Sequence, residues 1–390
     1  MLDDWKIYKL KACVEVNPKE KLSKGRVSKK IGMDRLEPFC RDVAGYEMAK
    51  FSGGSKFRNG DTIMARITPC LENGKIAMVN ILDSGEVGFG STEYIVFRAK
   101  SNVTDPDYVY YLICSPYVRD IAIKSMVGSS GRQRVQTDII RNLELPFPDI
   151  EIQKNIASIL KVLDDKICLN NKINKNLEQQ MEAIYKSWFI DFKPFGGTKP
   201  SSWQNGDIYS IANIIYGAPF ASKMFNTDGI GKPIIRIRDL KNQEFVTYTT
   251  EEHPKGHLIK PGDIVVGMDG EFRPYIWGNK EAWLNQRVCI FENKRPKGKA
   301  FLLLTIKPLL NIIEQTQVAT TVIHIGKKDF DAFEIILPDI KTLNQFDEIT
   351  TPMIKQIVNC KLENKRLSLL RDTLLPKLMS GELDVSDIDL

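Results

Sequence analysis

The chain repeats its own motifs at a distance of about half its length. Gly60-Asp61-Thr62-Ile63 and Gly262-Asp263-Ile264-Val265 each lead into an apolar, strand-like run, and they lie 202 residues apart. Pro148-Asp149-Ile150 and Pro338-Asp339-Ile340 lie 190 residues apart, and each opens a helical pattern. A chain of 390 residues has room for two domains of about 150 residues plus connecting structure. We therefore predict two copies of one structural plan.

The stretch after the first Pro-Asp-Ile predicts a long helix with one apolar stripe, because its seam alternates spacings of four and three residues. The seam positions are Ile156, Leu160, Leu163, Ile167, Asn170, Asn174, Leu177, Met181, Ile184 and Trp188. A shift of 190 residues gives Phe346, Thr350, Met353, Ile357, Cys360, Asn364, Leu367, Arg371, Leu374 and Leu378. Each stripe must be buried, so we predict that the two helices pack together as a coiled coil. A globular unit separates them in sequence, which favours an antiparallel pair.

The seam contains asparagines at 170, 174 and 364. Buried asparagines in a coiled coil reduce its stability but fix the register of the helices. Asn170, Asn174 and Asn364 therefore either set the register of this pair or lie at a wet edge of it.

The remaining segments mix short β-branched runs, turn residues and helical pieces such as 108–126, which is typical of mixed α and β domains. The predicted fold class is α+β: two mixed α/β domains separated by two long helices, with an internal pseudo-two-fold repeat. The predicted boundaries are 1–148 and 196–338 for the domains, 149–195 and 339–381 for the helical spacers, and 382–390 for an acidic tail.

The charge of the chain favours a polyanionic partner. It contains 55 Lys and Arg against 49 Asp and Glu, for a net charge of +6. Four of those acids lie in residues 382–390, and without them the other 381 residues carry +10. Such an excess suits nucleic acid but does not prove it. The seven cysteines form no CxxC pair, and no apolar run approaches a membrane span, so we expect a reducing compartment, the cytoplasm, and no membrane.

Several patterns resemble catalytic motifs without completing one. The chain contains no Walker A loop, and Gly88-Phe89-Gly90 is an isolated GxG. Asp105-Pro106-Asp107-Tyr108 is similar to a methyltransferase loop, but an N-cap Asp followed by Pro explains it fully. Two PD…(D/E)xK patterns, at 148–166 and 338–365, place Asp164 and Glu363 on the helices. We therefore predict that these acids are solvated helix charges rather than metal ligands.

The three histidines leave little for acid–base catalysis. His253 and His257 form a bare HxxxH, and His324 stands alone among apolar neighbours in the sequence. Structural positions are favoured over metal ligation, and we expect no catalytic residues and no metal site in this chain.

What remains is a set of basic and amide side chains in loops, which favours binding. Arginine can pair with guanine edges, and asparagine or glutamine with adenine, while lysine more often contacts phosphate. The first domain offers Lys56, Arg58, Arg66, Asn73 and Lys75 around the Gly60-Asp61 strand, and Arg132, Gln133 and Arg134 in a flexible glycine-rich loop. The second domain offers Arg236, Arg238, Arg273, Arg287, Lys327 and Lys328.

Taken together, the chain resembles the specificity subunits of type I restriction-modification systems over nearly its whole length. The stretches that carry the resemblance are Phe57–Ala77, Gly88–Tyr94, Leu163–Gln179, Tyr185–Phe192, Pro233–Leu240, Pro261–Gly270 and Leu374–Glu382. The resemblance implies that the two domains are target-recognition domains and that the helices are the spacers of the family. Recognition domains vary within the family, so the resemblance assigns none of these residues to a particular base.

The resemblance also implies the partners: double-stranded DNA with a bipartite, asymmetric site, two adenine methyltransferase subunits and two restriction subunits. Those partners carry S-adenosylmethionine, ATP and magnesium, and this chain is expected to hold no cofactor. A spacer of about 60 Å, at 1.5 Å per residue, can hold two domains in successive major grooves, which are about 34 Å apart. Two alternatives remain: a coiled-coil scaffold that does not read bases, and a self-contained DNA methyltransferase.

Overall fold

A computed structural model describes residues 5–316 and 324–385 of the chain. The strands of the first half are β1 (Lys6–Lys9), β2 (Val14–Val16), β3 (Val27–Ile31), β4 (Glu47–Lys50), β5 (Lys56–Phe57), β6 (Thr62–Ala65), β7 (Ile76–Met78), β8 (Gly88–Gly90), β9 (Tyr94–Ala99) and β10 (Glu144–Phe147). Its helices are α1 (Leu10–Cys13), α2 (Pro106–Cys114), α3 (Pro116–Lys124) and α4 (Thr137–Arg141), followed by the long helix α5 (Ile150–Tyr185).

The second half repeats this order of elements. Its strands are β11 (Gln204–Asp207), β12 (Ala212–Tyr216), β13 (Phe225–Asn226), β14 (Lys232–Ile235), β15 (Tyr248–Thr249), β16 (Leu258–Ile259), β17 (Ile264–Gly267), β18 (Pro274–Ile276), β19 (Ala282–Leu284), β20 (Val288–Asn293) and β21 (Glu334–Leu337). Its helices are α6 (Lys299–Thr316), α7 (Lys327–Asp331) and the second long helix, α8 (Ile340–Met379).

The sheets of the two halves have matching topologies. An antiparallel sheet of order β2-β9-β6-β7 in the first half corresponds to β12-β20-β17-β18 in the second. In the other main sheet of each half, one parallel pair recurs, β3 with β8 and β14 with β19. The strand before each long helix pairs with the first strand of its half, β10 with β1 and β21 with β11. The predicted α+β class with an internal repeat is confirmed.

The duplicated Gly-Asp motif forms the same turn in both halves. Gly60 and Gly262 have φ values of 86° and 88°, a left-handed conformation that glycine adopts without steric cost. The aspartate that follows accepts a hydrogen bond from the backbone amide three residues before it. Asp61 accepts from the Arg58 amide and Asp263 from the Lys260 amide, both at 2.7 Å. The motif therefore starts the central strand of each sheet, and it is structural.

Each central strand is buried on both faces. In β6, Met64 belongs to one apolar core and the adjacent Ile63 to another. In β17, Val266 and Val265 divide in the same way. Because successive side chains of a strand point to opposite faces, a strand between two cores reads as a continuous apolar run.

The chain divides into two compact units, one of residues 1–167 with 367–390 and the other of residues 168–366. In the first unit, Asp164 of α5 pairs with Arg371 of α8, and Asn155 reaches the carbonyl of Val385, so the pairing runs antiparallel. In the second unit, Asn170 bonds to Asn364, and the rings of Trp188 and Phe346 are 6.0 Å apart, which gives the same sense.

Two expectations need adjustment, and a third falls partly outside the described residues. The helical piece expected at 108–126 is two helices, α2 and α3, because Pro116 cannot continue a helix and Ser115 is extended. The helix α5 ends at Tyr185, and a π-helical turn follows over Lys186–Ile190, so regular helix stops before the turn-forming residues at 195. The expected acidic tail lies largely outside the described residues, which end at 385.

Candidate nucleic-acid interface

Backbone hydrogen bonds bring three of the predicted DNA-binding residues together where β6 ends. Ile67 and Arg134 form a β-bridge, and the amide of Val135 donates to the carbonyl of Arg66 at 2.8 Å. The amide of Thr68 donates to the carbonyl of Gln133 at 3.0 Å. Residues 66–68, 91–93 and 132–134 thus form one edge, which we call the first loop edge. It contains Arg66, Arg132, Gln133 and Arg134.

An ion pair that the sequence did not reveal holds Arg134 in this edge. The Nε of Arg134 lies 3.0 Å from both carboxylate oxygens of Glu93, and its Nη2 lies 2.7 Å from Oε1. The hydrogen bond from Arg134 lowers the pKa of Glu93, so the carboxylate is ionised at neutral pH. Arg134 keeps 44% of its side chain exposed. It is therefore held in place and still open to a ligand.

Other predicted residues of the first domain do not project freely from this edge. The ammonium group of Lys75 donates to the carbonyl of Met33 at 2.8 Å. That of Lys56 donates to the carbonyl of Glu20 at 3.0 Å and lies 5.0 Å from the centre of the Phe51 ring. Asn73 is exposed. Lys56 and Lys75 are thus engaged with backbone carbonyls, and DNA contacts by the residues around the Gly60-Asp61 strand stay a prediction.

Arg58 belongs to the opposite end of the central strand. It forms an ion pair with Glu20, which also pairs with Arg98. Arg98 in turn pairs with the buried carboxylate of Asp61, just before β6. Arg66 follows the last residue of that strand. The two arginines are thus separated by the length of β6, and Arg58 serves a charge network that supports the turn.

The second half has an equivalent edge, the second loop edge, at residues 268–269, 285–287 and 324–325. The bridge between Asp269 and His324 corresponds to the one between Ile67 and Arg134. The amide of Met268 donates to the carbonyl of Arg287 at 2.9 Å, as that of Arg66 does to Glu93. The backbone is therefore shared between the repeats while the side chains differ.

Asp269 is the centre of the second loop edge. One of its carboxylate oxygens lies 2.6 Å from Nδ1 of His324 and 3.5 Å from Nη1 of Arg287. The neighbours of His324 in the sequence are apolar, and the fold brings Asp269 and Arg287 to it from 55 and 37 residues away. Lys327 and Lys328 follow on the exposed first turn of α7.

The remaining basic residues of the second domain lie on two turns. A Cβ on Gly267 would be 3.3 Å from Ile237, which places the turn that carries Arg236 and Arg238 beside the end of β17. Arg236 lies over the ring of Phe225, and Arg238 is exposed beside Asp239. Arg273 is exposed and pairs weakly with Glu271, at 3.7 Å.

The seam asparagines of the second unit are mostly buried. Asn170 is 1% exposed and donates to Glu363 at 2.7 Å and to Asn364 at 2.9 Å. Asn364 in turn donates to Asn171 at 2.8 Å. Asn174 is buried too, and its Oδ1 has no hydrogen-bond partner among the described residues. This geometry is that of an interhelical contact, and a role in register remains a prediction.

Asp164 corrects the expectation of a solvated helix charge. It is 7% exposed, receives a hydrogen bond from the phenol of Tyr111 at 2.9 Å, and pairs with Arg371 at 2.7 Å. Burial raises the pKa of Tyr111, and the charge of Asp164 raises it further, so the phenol remains a donor. Glu363 likewise accepts from Asn170. Both acids lie on the helices as predicted, but they serve helix packing.

The motif-like acids have local structural roles. Asp149 and Asp339 accept hydrogen bonds from the first amides of α5 and α8, so each Pro-Asp is a helix N-cap. Asp105 caps α2 by accepting from the amide of Tyr108 at 3.0 Å, as predicted. Within residues 5–316 and 324–385, no group of three His, Cys, Asp or Glu side chains could hold a metal ion.

Comparison with known families decides what kind of protein has this architecture. The family model of the type I restriction modification DNA specificity domain matches residues 2–179 and 200–368, one match for each half of the repeat. The chain belongs to the type I restriction-modification specificity subunits.

Relatives of this specificity subunit match it over most of their length. The type I restriction enzyme MjaIX specificity subunit of Methanocaldococcus jannaschii is 24% identical and is covered to 95%, with 99% of this chain aligned. The HindI specificity subunit of Haemophilus influenzae is 24% identical, with 84% of this chain and 87% of the relative aligned. The crystal structure of the S subunit from M. genitalium shares the fold, with a TM-score of 0.54, 15% identity and 96% coverage of both chains.

Specificity subunits are non-catalytic, because catalysis in these systems lies in partner subunits. The expectation that this chain is not an enzyme is therefore confirmed by its family. Among its described helices, none combines the length and apolar character that a membrane span requires.

Proposed function

We propose that this specificity subunit reads a bipartite, asymmetric site on double-stranded DNA, with one half-site for each repeat. The observation that carries the proposal is the pair of equivalent loop edges. They occupy the same place in the repeat, at the end of the central strand, and both expose side chains with hydrogen-bonding groups. Such side chains on loops are suited to base edges in a groove.

The asymmetry of the site follows from differences at equivalent positions. The first loop edge has Ile67, Glu93 and Arg134 where the second has Asp269, Arg287 and His324. Each set presents a different pattern of donors and acceptors, and base pairs are distinguished by such patterns in the major groove. Two unlike half-sites are expected, since a palindromic target would require two equivalent surfaces.

The helices supply the second part of the proposal. We infer that α5 and α8 set the length of the unread gap and provide docking surfaces for two adenine methyltransferase subunits and, in the full complex, two restriction subunits. S-adenosylmethionine, ATP and magnesium would act on those partners, and the complex would work in the cytoplasm. The spacer lengths of 36 and 40 residues, about 54 and 60 Å at 1.5 Å per residue, suit a gap of more than one turn of DNA.

Genome-wide methylation mapping tests this function. Cells that express the chain with its neighbouring methyltransferase are compared with cells that lack only this chain. A split, asymmetric motif with methylated adenines is expected, and it should disappear without the chain. Unchanged methylation in the presence of an assembled complex would contradict base reading and favour a scaffold role. Methyl transfer by the purified chain alone would indicate a self-contained methyltransferase.

A further inference from the structure

Arg134 in the first loop edge is held in a fixed orientation by both its backbone and its side chain. Arg134 is fixed at its backbone, because its amide and carbonyl exchange hydrogen bonds with Val127 at 2.9 and 3.0 Å. Its side chain is fixed by Glu93 through Nε and Nη2. Glu93 is itself held by its neighbours, since its amide donates to the Ser91 hydroxyl at 3.0 Å and its carbonyl accepts from the Arg66 amide at 2.9 Å.

The geometry leaves one side of the guanidinium for a ligand. A guanidinium offers five N–H donors in a planar fork, and Glu93 takes the side that carries Nε. Among the described residues, the Nη1 group has a single contact, with the carbonyl of Arg132 at 3.4 Å. Nη2 gives one of its two N–H groups to Glu93, so one N–H of Nη1 and the other N–H of Nη2 remain at the end of the fork. Two parallel donors of this kind match the O6 and N7 acceptors of guanine.

The carboxylate argues against a phosphate as the ligand. Glu93 offsets the positive charge of Arg134 and would repel a phosphate brought close to it. A free lysine or arginine is the better phosphate contact, because the sequence-independent attraction depends on net positive charge. Pairing with Glu93 offsets the charge of the guanidinium and so weakens its general attraction to DNA. The same pairing holds the planar fork in one orientation, so less conformational freedom is lost when it binds a matching pair of acceptors, which favours selectivity.

The second loop edge has the same kind of arrangement, although its acid, Asp269, aligns with Ile67 rather than with Glu93. There Asp269 holds His324 at 2.6 Å, and Arg287 lies 3.5 Å from the same oxygen. The residues are different and come from different positions in the chain, yet a carboxylate again holds a cationic or donor side chain in the loop edge. The recurrence in two recognition surfaces points to orientation as the purpose of the acid.

We propose that Glu93 is a positioning residue that orients Arg134 to read a guanine in the first half-site, and that Asp269 has the corresponding role in the second. This inference rests on the proposed function, because it names the contact by which one half-site is read.

The test uses the complete chain with its methyltransferase partner and maps methylated motifs in cells. Arg134→Ala and Glu93→Gln should both relax the requirement for guanine at one and the same base pair, by about 5- to 150-fold in methylation preference. The other half-site should keep its requirement. Asp269→Asn should produce the reverse pattern, relaxing only the second half-site. The matched control is Glu151→Gln, which removes the same charge from an exposed pair with Lys154 in the same unit.

A second measurement separates base reading from phosphate binding. In Glu93→Gln the released Arg134 can contact phosphate, so the salt dependence of non-specific DNA binding by the purified complex should steepen by about one counterion. If Arg134→Ala lowers this slope and leaves every base requirement unchanged, Arg134 is a phosphate contact and the inference is wrong.

The outcomes also separate the inference from the function on which it rests. Absence of a bipartite motif with the unmodified chain overturns the proposed function. A normal motif that neither Glu93→Gln nor Arg134→Ala changes overturns only the inference. If Glu93→Gln does not fold, Arg134→Lys decides: lysine keeps the charge without the fork, so loss of the guanine requirement supports the inference and its retention contradicts it.

Discussion

At the scale of single residues, the decisive groups are acids that sit beside arginines. Glu93 orients Arg134 in the loop edge, Asp61 receives Arg98 under the turn of the central strand, and Asp164 receives Arg371 between the long helices. The three pairs differ in exposure, and this decides what each contributes. An exposed pair adds little to stability and can serve orientation, whereas a buried pair becomes essential once it has formed because either partner alone would be left desolvated.

The buried pair of the first unit gives a prediction about stability. Arg371→Ala should lower the free energy of unfolding by about 3 to 5 kcal/mol, because of its two partners among the described residues the buried Asp164 would keep Tyr111 alone. Urea denaturation of the purified chain measures this. Lys154→Ala is the control, since it breaks an exposed pair and should change stability by less than about 1 kcal/mol. Equal effects from both variants would show that the pair is not effectively buried.

At the scale of elements, the helices are specified twice, once by their caps and once by their seam. Asp149 and Asp339 satisfy the first amides of α5 and α8, which have no partner within the helix. The seam then buries one stripe in each unit. Where the seam is polar, the partner helix supplies the hydrogen bonds, as for Asn170 with Glu363 and Asn364.

The cap of α8 gives a prediction with a defined pH dependence. A hydrogen bond from the Thr342 amide lowers the pKa of Asp339, so the unfolded chain takes up this proton before the folded chain does. The contribution of the cap is therefore complete above about pH 5 and is lost as the pH falls through the lowered pKa. Asp339→Ala should cost about 1 kcal/mol at pH 7. Urea unfolding from pH 3 to pH 7 should show that the difference in free energy of unfolding between variant and parent becomes smaller at the acidic end. A difference that becomes larger there would contradict the cap.

A substitution in the seam is expected to stabilise the chain, in contrast to the two substitutions above. Asn170→Leu should raise the free energy of unfolding by about 1 kcal/mol, because it buries apolar surface and Asn364 keeps Asn171 as a partner. Thermal unfolding measures the stability of this variant against that of Asn176→Leu. Asn176 is exposed on the same helix, so its substitution should leave the stability almost unchanged. A marked loss of stability in Asn170→Leu alone would mean that the interhelical hydrogen bonds outweigh the apolar gain.

At the scale of the whole molecule, one topology forms two equivalent loop edges. The repeat keeps the backbone that forms each loop edge and varies the side chains on it. Function would then depend on two separable properties: the identity of a few loop residues, which sets the half-sites, and the length of the helices, which sets the gap.

The role of helix length can be tested directly. Deleting one heptad from α5 and the facing heptad from α8 removes about 10 Å of helix, which corresponds to about three base pairs. Methylation mapping should show either a gap shortened by that amount with both half-sites unchanged, or loss of methylation because the domains no longer meet the same face of DNA. Deleting the heptad from α5 alone misaligns Asn170 with Asn364 and should abolish methylation. An unchanged gap in the double deletion would show that the helices do not set spacing.

The amino-acid sequence alone determined the duplication, the two long helices, their seam and the Pro-Asp-Ile motif at which each helix starts. All of these depend on interactions between residues a few positions apart, or on copies of one pattern, so periodicity and spacing reveal them. Arg371 lies on the predicted seam for the same reason.

Only the tertiary structure decided which charged residues act together. The partners of Asp164 lie 53 and 207 residues away, so a helix pattern could not show that it is buried. Glu93 is an acid among basic candidates, so charge does not single it out in the sequence; the signal that it carries is its position directly before strand β9, which aligns with Arg287 in the second repeat. Arg134 and Arg66 meet, and Arg58 separates from them, because strand pairing sets distances that have no counterpart along the chain.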